Sequence, residues 1–244
     1  MLKFPIEWAR RHLPEHDLHD IEVDPSDVGF RLVTRRRQYF FGMHKERTHL
    51  VYDIHSVYSI VTAALRTIRT LPQHALVADR REVDSEVQRV CALRGIEYRP
   101  SVLDRSYALT AHERGYIKNY RSKWKERGFA HVHGPDVANP WVCYNLGDAG
   151  TERITWSAVS QRLPTYLRSF RPYWFPSAKR WMTPRERLAT MGFCTYASLA
   201  DQVGCAPLYL DDAACKDLAG NAMHLANVGV LASVCLACVR ICDV

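Results

Sequence analysis

The segment Thr110 to Gly128 (TAHERGYIKNYRSKWKERG) carries the most suggestive spacing in the chain. Tyr116, Tyr120 and Trp124 recur at helical intervals and share one face. Lys118, Arg121 and Lys125 form a neighbouring basic face. Such a helix can dock on a core through its aromatics and offer cations to phosphates. A solvated helix whose aromatics are simply core is the alternative. A second basic stretch, Arg35-Arg36-Arg37, stands directly before the β-prone run Gln38 to Met43. Guanidinium groups stay charged and donate in a fixed plane, which suits an anionic partner; a plain basic turn is again the alternative.

Metal chemistry finds less support. Cys235, Cys238 and Cys242 fall at helical spacing on one face, but no fourth ligand stands nearby, so they read as core packing. His131, His133 and Cys143 make a weaker metal set. No metal is expected.

Composition bounds the setting for these groups. The 244 residues are 47% hydrophobic and 24% charged, the profile of a folded globule of one large or two small domains. A net charge of +7 makes nucleic acid the first partner to consider. The N-terminal MLKFPIEWARRHL does not read as a signal peptide, and the longest apolar run, Val228 to Val239, is too short to span a bilayer. No membrane is expected, the location should be intracellular with DNA, and the eight cysteines should be reduced thiols.

The elements that position these groups follow from periodicity and caps. Residues 4–13 predict a short amphipathic helix, and His19 to Val23 a strand. Asp24-Pro25-Ser26-Asp27 predicts a turn or helix start closed by Gly29. Ile54 to Thr70 predicts a helix with Val57, Ile60, Val61, Ala64, Leu65 and Ile68 on its buried side. Glu82 to Arg94 predicts another. Thr183, Pro184 and Glu186 form a capping box with proline at the first helical position, so a helix should run from Thr183 to about Thr190, ended by Gly192. Leu218 to Cys242 reads as a glycine-bearing turn followed by a long apolar helix.

Three segments carry a family pattern in order. Gly29 to Gly42 (GFRLVTRRRQYFFG) contains Arg35 and Arg37 ahead of a hydrophobic strand and a glycine, with Val33 where the pattern has glutamine. Arg180 to Phe193 (RWMTPRERLATMGF) supplies Arg180, Thr183, Pro184, Arg185, Glu186, Gly192 and Phe193, with Met182 for leucine and Cys194 for a following proline. Leu218 to Met223 (LAGNAM) supplies Gly220, Asn221 and Ala222. Pro164-Thr165 leads into the second segment. Together they resemble the C-terminal half of the cytosine carbon-5 DNA methyltransferases.

The resemblance implies an α/β fold: a partial doubly wound, Rossmann-like methyltransferase domain with a smaller, irregular α+β recognition domain. Residues 1–50 would supply the last strands of the catalytic domain. Residues 51–179 would form the target recognition region, and 180–244 would return to the catalytic domain. Family chemistry adds a cysteine thiolate to carbon 6 of a flipped cytosine, while a glutamate holds ring nitrogen 3. Arg37 would face the 2-oxo group and Arg35 would help arrange the centre. Gly220, Asn221 and Ala222 would border S-adenosylmethionine. Lys118, Arg121, Lys125, Arg180 and Arg185 would meet DNA, and Thr183 to Glu186 would organise the recognition region. The family's Pro-Cys, Glu-Asn-Val and glycine-rich cofactor loop do not occur in this sequence. The expectation is therefore a truncated product, a split subunit needing a separate N-terminal partner, or a degenerate paralogue, inactive alone in each case. A non-catalytic basic DNA- or RNA-binding module is the alternative.

Overall fold

The computed structural model describes residues 6–66, 72–147, 156–164, 166 and 172–242. The expected helix positions Ile68 and Thr70, residues 4 and 5, and Thr165 lie outside these. In chain order the elements are α1 (Ile6–His12), β1 (His16–Val23), β2 (Arg37–His44), β3 (Thr48–Leu50), α2 (Ile54–Leu65), α3 (Arg80–Arg94), α4 (Ala111–Glu126), α5 (Phe129–His133), β4 (Tyr144–Asn145), α6 (Ser157–Ser160), β5 (Tyr173–Phe175), β6 (Arg180–Trp181), α7 (Pro184–Ala189), α8 (Ala197–Val203), α9 (Asp212–Asn221), α10 (Leu225–Cys238) and β7 (Val239–Ile241). The fold is mixed α/β with small sheets, and every ladder between these strands is antiparallel. Among the described residues no single helix is long and apolar enough to cross a membrane.

The chain forms two compact units. The first takes residues 6–30, 34–66 and 223–242. Its β1–β2 hairpin pairs His16 with His44 and Val23 with Arg37. Gly42 faces Leu18 in that ladder, and a Cβ at Gly42 would come within 3.2 Å of Leu18 Cδ2, so the glycine permits the close approach. Asp24 caps the 3-10 turn Pro25–Val28, and Gly29 closes it at φ 87°. Two helices cover the hairpin. Ile21 and Val23 from β1 meet Ile54 and Tyr58 from α2 and Leu231, Val234, Cys235 and Cys238 from α10. Strand β7 pairs with β3, so the C-terminal segment closes on the N-terminal one.

Two expectations fail in this unit. The buried side of α2 is set by Ile54, Tyr58 and Thr62, with Val57 and Val61 at its flank, while Ile60 is 72% exposed and Ala64 is also exposed. The helix is turned by part of a turn from the predicted phase, because a buried tyrosine and threonine belong to the inner face. The apolar helix also stops at Cys238: the β-branched Val239–Ile241 leaves it to pair with β3, and Cys242 lies beyond the strand. Cys235 and Cys238 are core residues, and Cys242 does not share their helix.

The second unit takes residues 31–33 and the described residues of 72–222. The boundaries between the units fall after the α2 segment and at 222. Helix α4 is capped by Thr110 and Glu113 in a reciprocal box and buries Ile117, Tyr120 and Trp124. Tyr120 stacks on Tyr144 of β4 with ring centroids 4.4 Å apart. The sheet β4–β5–β6 adds Trp174 and Trp181 to the same core. Helix α7 starts at Thr183 with the expected cap and proline, its C-cap is Thr190, and Gly192 follows at φ 84°. The glycine-bearing turn expected from Leu218 is absent. Leu218 to Asn221 are the last residues of α9, which starts two turns earlier on an Asp211 cap.

Candidate functional site

Arg37 and Tyr39 occupy alternate positions along β2, so they fall on one side of the hairpin, and Arg35 stands two residues before the strand. Arg35 is buried. Burial pushes its guanidinium below the usual arginine range, the charge of Arg37 adds to this, and Tyr39 opposes it. The Tyr39 phenol is pushed up by burial against the pull of Arg37 and Arg35. Arg37 donates through Nη1 to the Arg36 carbonyl at 2.8 Å, and Arg36 pairs with Glu22 at 3.0 Å in the open. The hydroxyl of Tyr58 donates to Asp27 at 3.4 Å, and Asp27 also accepts from Arg66 at 2.7 Å. Burial and Asp27 keep the Tyr58 phenol protonated. Arg35 and Arg37 thus lie beside the Tyr39 phenol, while Tyr58 is held by Asp27.

Helix α10 adds a residue that the sequence reading missed. Asn227 is 1% exposed, and neither amide atom has a hydrogen-bond partner among the described residues. It lies on the same stripe as Leu231, Val234 and Cys238, which pack the core. A lone asparagine at a core position of an apolar helix was the available signal. An unsatisfied buried amide costs about 1–3 kcal/mol, so folding alone does not account for it. In the same unit a cavity of about 730 Å³ is lined by Arg10, His16, Asp17, His19, Lys45 and His49. The Cys242 thiol meets His49 Nδ1 at 3.5 Å. The sequence did not single out these cavity-lining residues, because the β1–β2 and β3–β7 pairings bring them together from distant segments.

The second unit treats its arginines differently. Arg180 donates twice to Glu186, at 2.8 and 2.6 Å. Glu186, fully buried, also accepts the backbone N–H groups of Ala78 and Thr183 at 2.8 Å each. Arg185 lies 4.5 Å over the Tyr196 ring, donates to the Thr195 carbonyl and reaches Glu82 at 3.5 Å. Glu82 accepts from Tyr196 at 2.6 Å and from Thr183 at 2.8 Å. Arg180 and Arg185 are thus committed to an internal network that fixes α7 against α3. On α4, Lys118 and Lys125 are exposed, whereas Arg121 pairs with Asp136 at 3.0 Å.

Gly220 and Asn221 end a helix capped by Ala222 rather than forming the expected turn, and the Asn221 amide donates to Asp217 at 2.9 Å, one turn back. Among the described residues no group of three or more His, Cys, Asp or Glu is placed to hold a metal ion, so His131, His133 and Cys143 are not brought together as one. Cys143 is fully buried, and its thiol is pushed far up by that burial. No protein-family model matches the chain, and no curated protein matches it.

Proposed function

We propose that this chain is the C-terminal portion of an S-adenosylmethionine-dependent DNA cytosine-5 methyltransferase, contributing target recognition and part of the active centre, and inactive alone. One observation carries the reading. The segment 223–242 returns to pack on the segment that holds Arg35 and Arg37, and the second compact unit is inserted between them in sequence. A recognition unit inserted into a catalytic domain is the organisation the resemblance requires. In this reading the β1–β2 hairpin and the β3–β7 pair are peripheral strands of a doubly wound sheet whose remainder comes from a separate N-terminal partner. That partner brings the Pro-Cys nucleophile, Glu-Asn-Val and the cofactor loop, and with them the S-adenosylmethionine contacts. Arg37, with Arg35 behind it, stabilises the developing charge on the cytosine 2-oxo group. The test is to add a separately expressed N-terminal half and measure S-adenosylmethionine binding and methyl transfer to DNA. Restored turnover, lost with Arg37→Ala, is the expected result; the absence of both binding and turnover overturns the reading.

A basic nucleic-acid-binding module is the second reading, favoured by the exposed Lys118 and Lys125 on the solvent side of α4. It expects salt-sensitive DNA binding by the chain alone. Replacing both lysines with glutamine should then lower the slope of log affinity against log salt by about 2.

A further inference from the structure

Helix α8 leaves from Tyr196, ends on Gly204 at φ 68°, and sends the chain back toward its own start. The Leu208 N–H donates to the Cys194 carbonyl at 2.8 Å, and the Cys205 N–H donates to the Ala200 carbonyl at 3.0 Å. This reversal sets Cys205 beside Cys194, so that the two thiols interact. Both are free thiols; Cys205 is exposed and Cys194 half-buried. Five of the other six cysteines, namely Cys91, Cys143, Cys215, Cys235 and Cys238, are buried, and Cys242 lies in the first unit.

We propose that Cys194 and Cys205 are a redox-active dithiol that closes to a disulfide when hydrogen peroxide oxidises the exposed member. The thiolate of Cys205 attacks the O–O bond of the peroxide. An S–O bond forms, the O–O bond breaks, and the leaving hydroxide takes a proton to become water. Cys194 then loses its proton and attacks the sulfenic sulfur. The S–S bond forms as the S–O bond breaks, and the hydroxyl leaves as a second water. Two thiols are oxidised by two electrons and one peroxide is reduced to two waters. The order follows from exposure, because the oxidant reaches Cys205 first, while burial and Cys205 itself push the Cys194 thiol up. The ring so formed encloses α8 and restrains Tyr196, whose hydroxyl anchors on Glu82. This chemistry is independent of the methyltransferase reading.

The test treats the folded chain with hydrogen peroxide under native conditions and maps the thiols by mass spectrometry. The expected result is loss of two free thiols, a peptide linked through Cys194 and Cys205, and recovery of both thiols with a dithiol reductant. In Cys194→Ser the sulfenic acid on Cys205 should persist and be trapped by dimedone several-fold more than in the parent. The proposal is overturned if no linked peptide forms, if Cys205 is trapped equally in both proteins, or if Cys205 pairs with another cysteine.

Discussion

Glu186 and Asn227 are both buried polar side chains, 0% and 1% exposed, with opposite surroundings. Each Glu186 oxygen accepts one bond from Arg180 and one from a backbone N–H. Among the described residues neither amide atom of Asn227 has a hydrogen-bond partner. A buried charge survives folding only when its partners are supplied, and the second unit supplies them. A buried amide without partners is a cost that the first unit carries, and such costs concentrate where a ligand or a missing surface will satisfy them. The contrast separates a carboxylate whose partners the fold supplies from an amide that finds none among the described residues.

The largest test of this contrast is Glu186→Gln. It leaves Arg180 facing a neutral group inside the network and should destabilise the chain by about 3–5 kcal/mol in chemical denaturation. A loss below about 1 kcal/mol would break the contrast from the stable side. Asn227→Leu should go the other way, neutral or stabilising by up to about 3 kcal/mol, because an unsatisfied amide is replaced by an apolar group of similar size. A clear loss of stability there would mean that the amide is already serving the fold. Thr183→Ala removes both the α7 cap and the hydroxyl bond to Glu82, and should cost about 1–2 kcal/mol by the same measurement.

The smallest effect concerns pH. Burial pushes the Glu86 carboxyl up, with Arg89 pulling the other way. The folded chain therefore holds that proton more tightly than the unfolded chain. Stability falls as pH rises from the unfolded carboxylate value to the raised folded one, and is level outside that window. Glu86→Gln should flatten this slope in denaturation curves taken from pH 4 to pH 8, about 1 kcal/mol or less. An unchanged slope would assign the shift to other groups.

The caps at Asp24 and Thr183, and Gly29 and Gly192 that close the segments after them, were legible in the sequence. Each is a bargain between a side chain and backbone groups within about one helical turn, so neighbours in sequence suffice to specify it. The aromatic face of α4 was legible for the same reason: its periodicity is local, although its stacking partner Tyr144 is not.

Long-range packing decided the rest. Gly220-Asn221 looks like a turn in isolation, yet Asp211 caps a helix that runs through it and gives the Asn221 amide a partner at Asp217. Arg180 and Arg185 look like free cations until α3 and α7 come together and Glu82 and Glu186 claim them. The phase of α2 is chosen by the hairpin and α10 that it covers, not by the sum of its own apolar residues. The sequence by itself determined the capped starts at Asp24 and Thr183 and the aromatic face of α4, because those energies are settled within a turn. Only the tertiary structure decided which charges are satisfied, which amide is left without a partner and which thiols meet, because a buried group's energy depends on what distant parts of the chain bring to it.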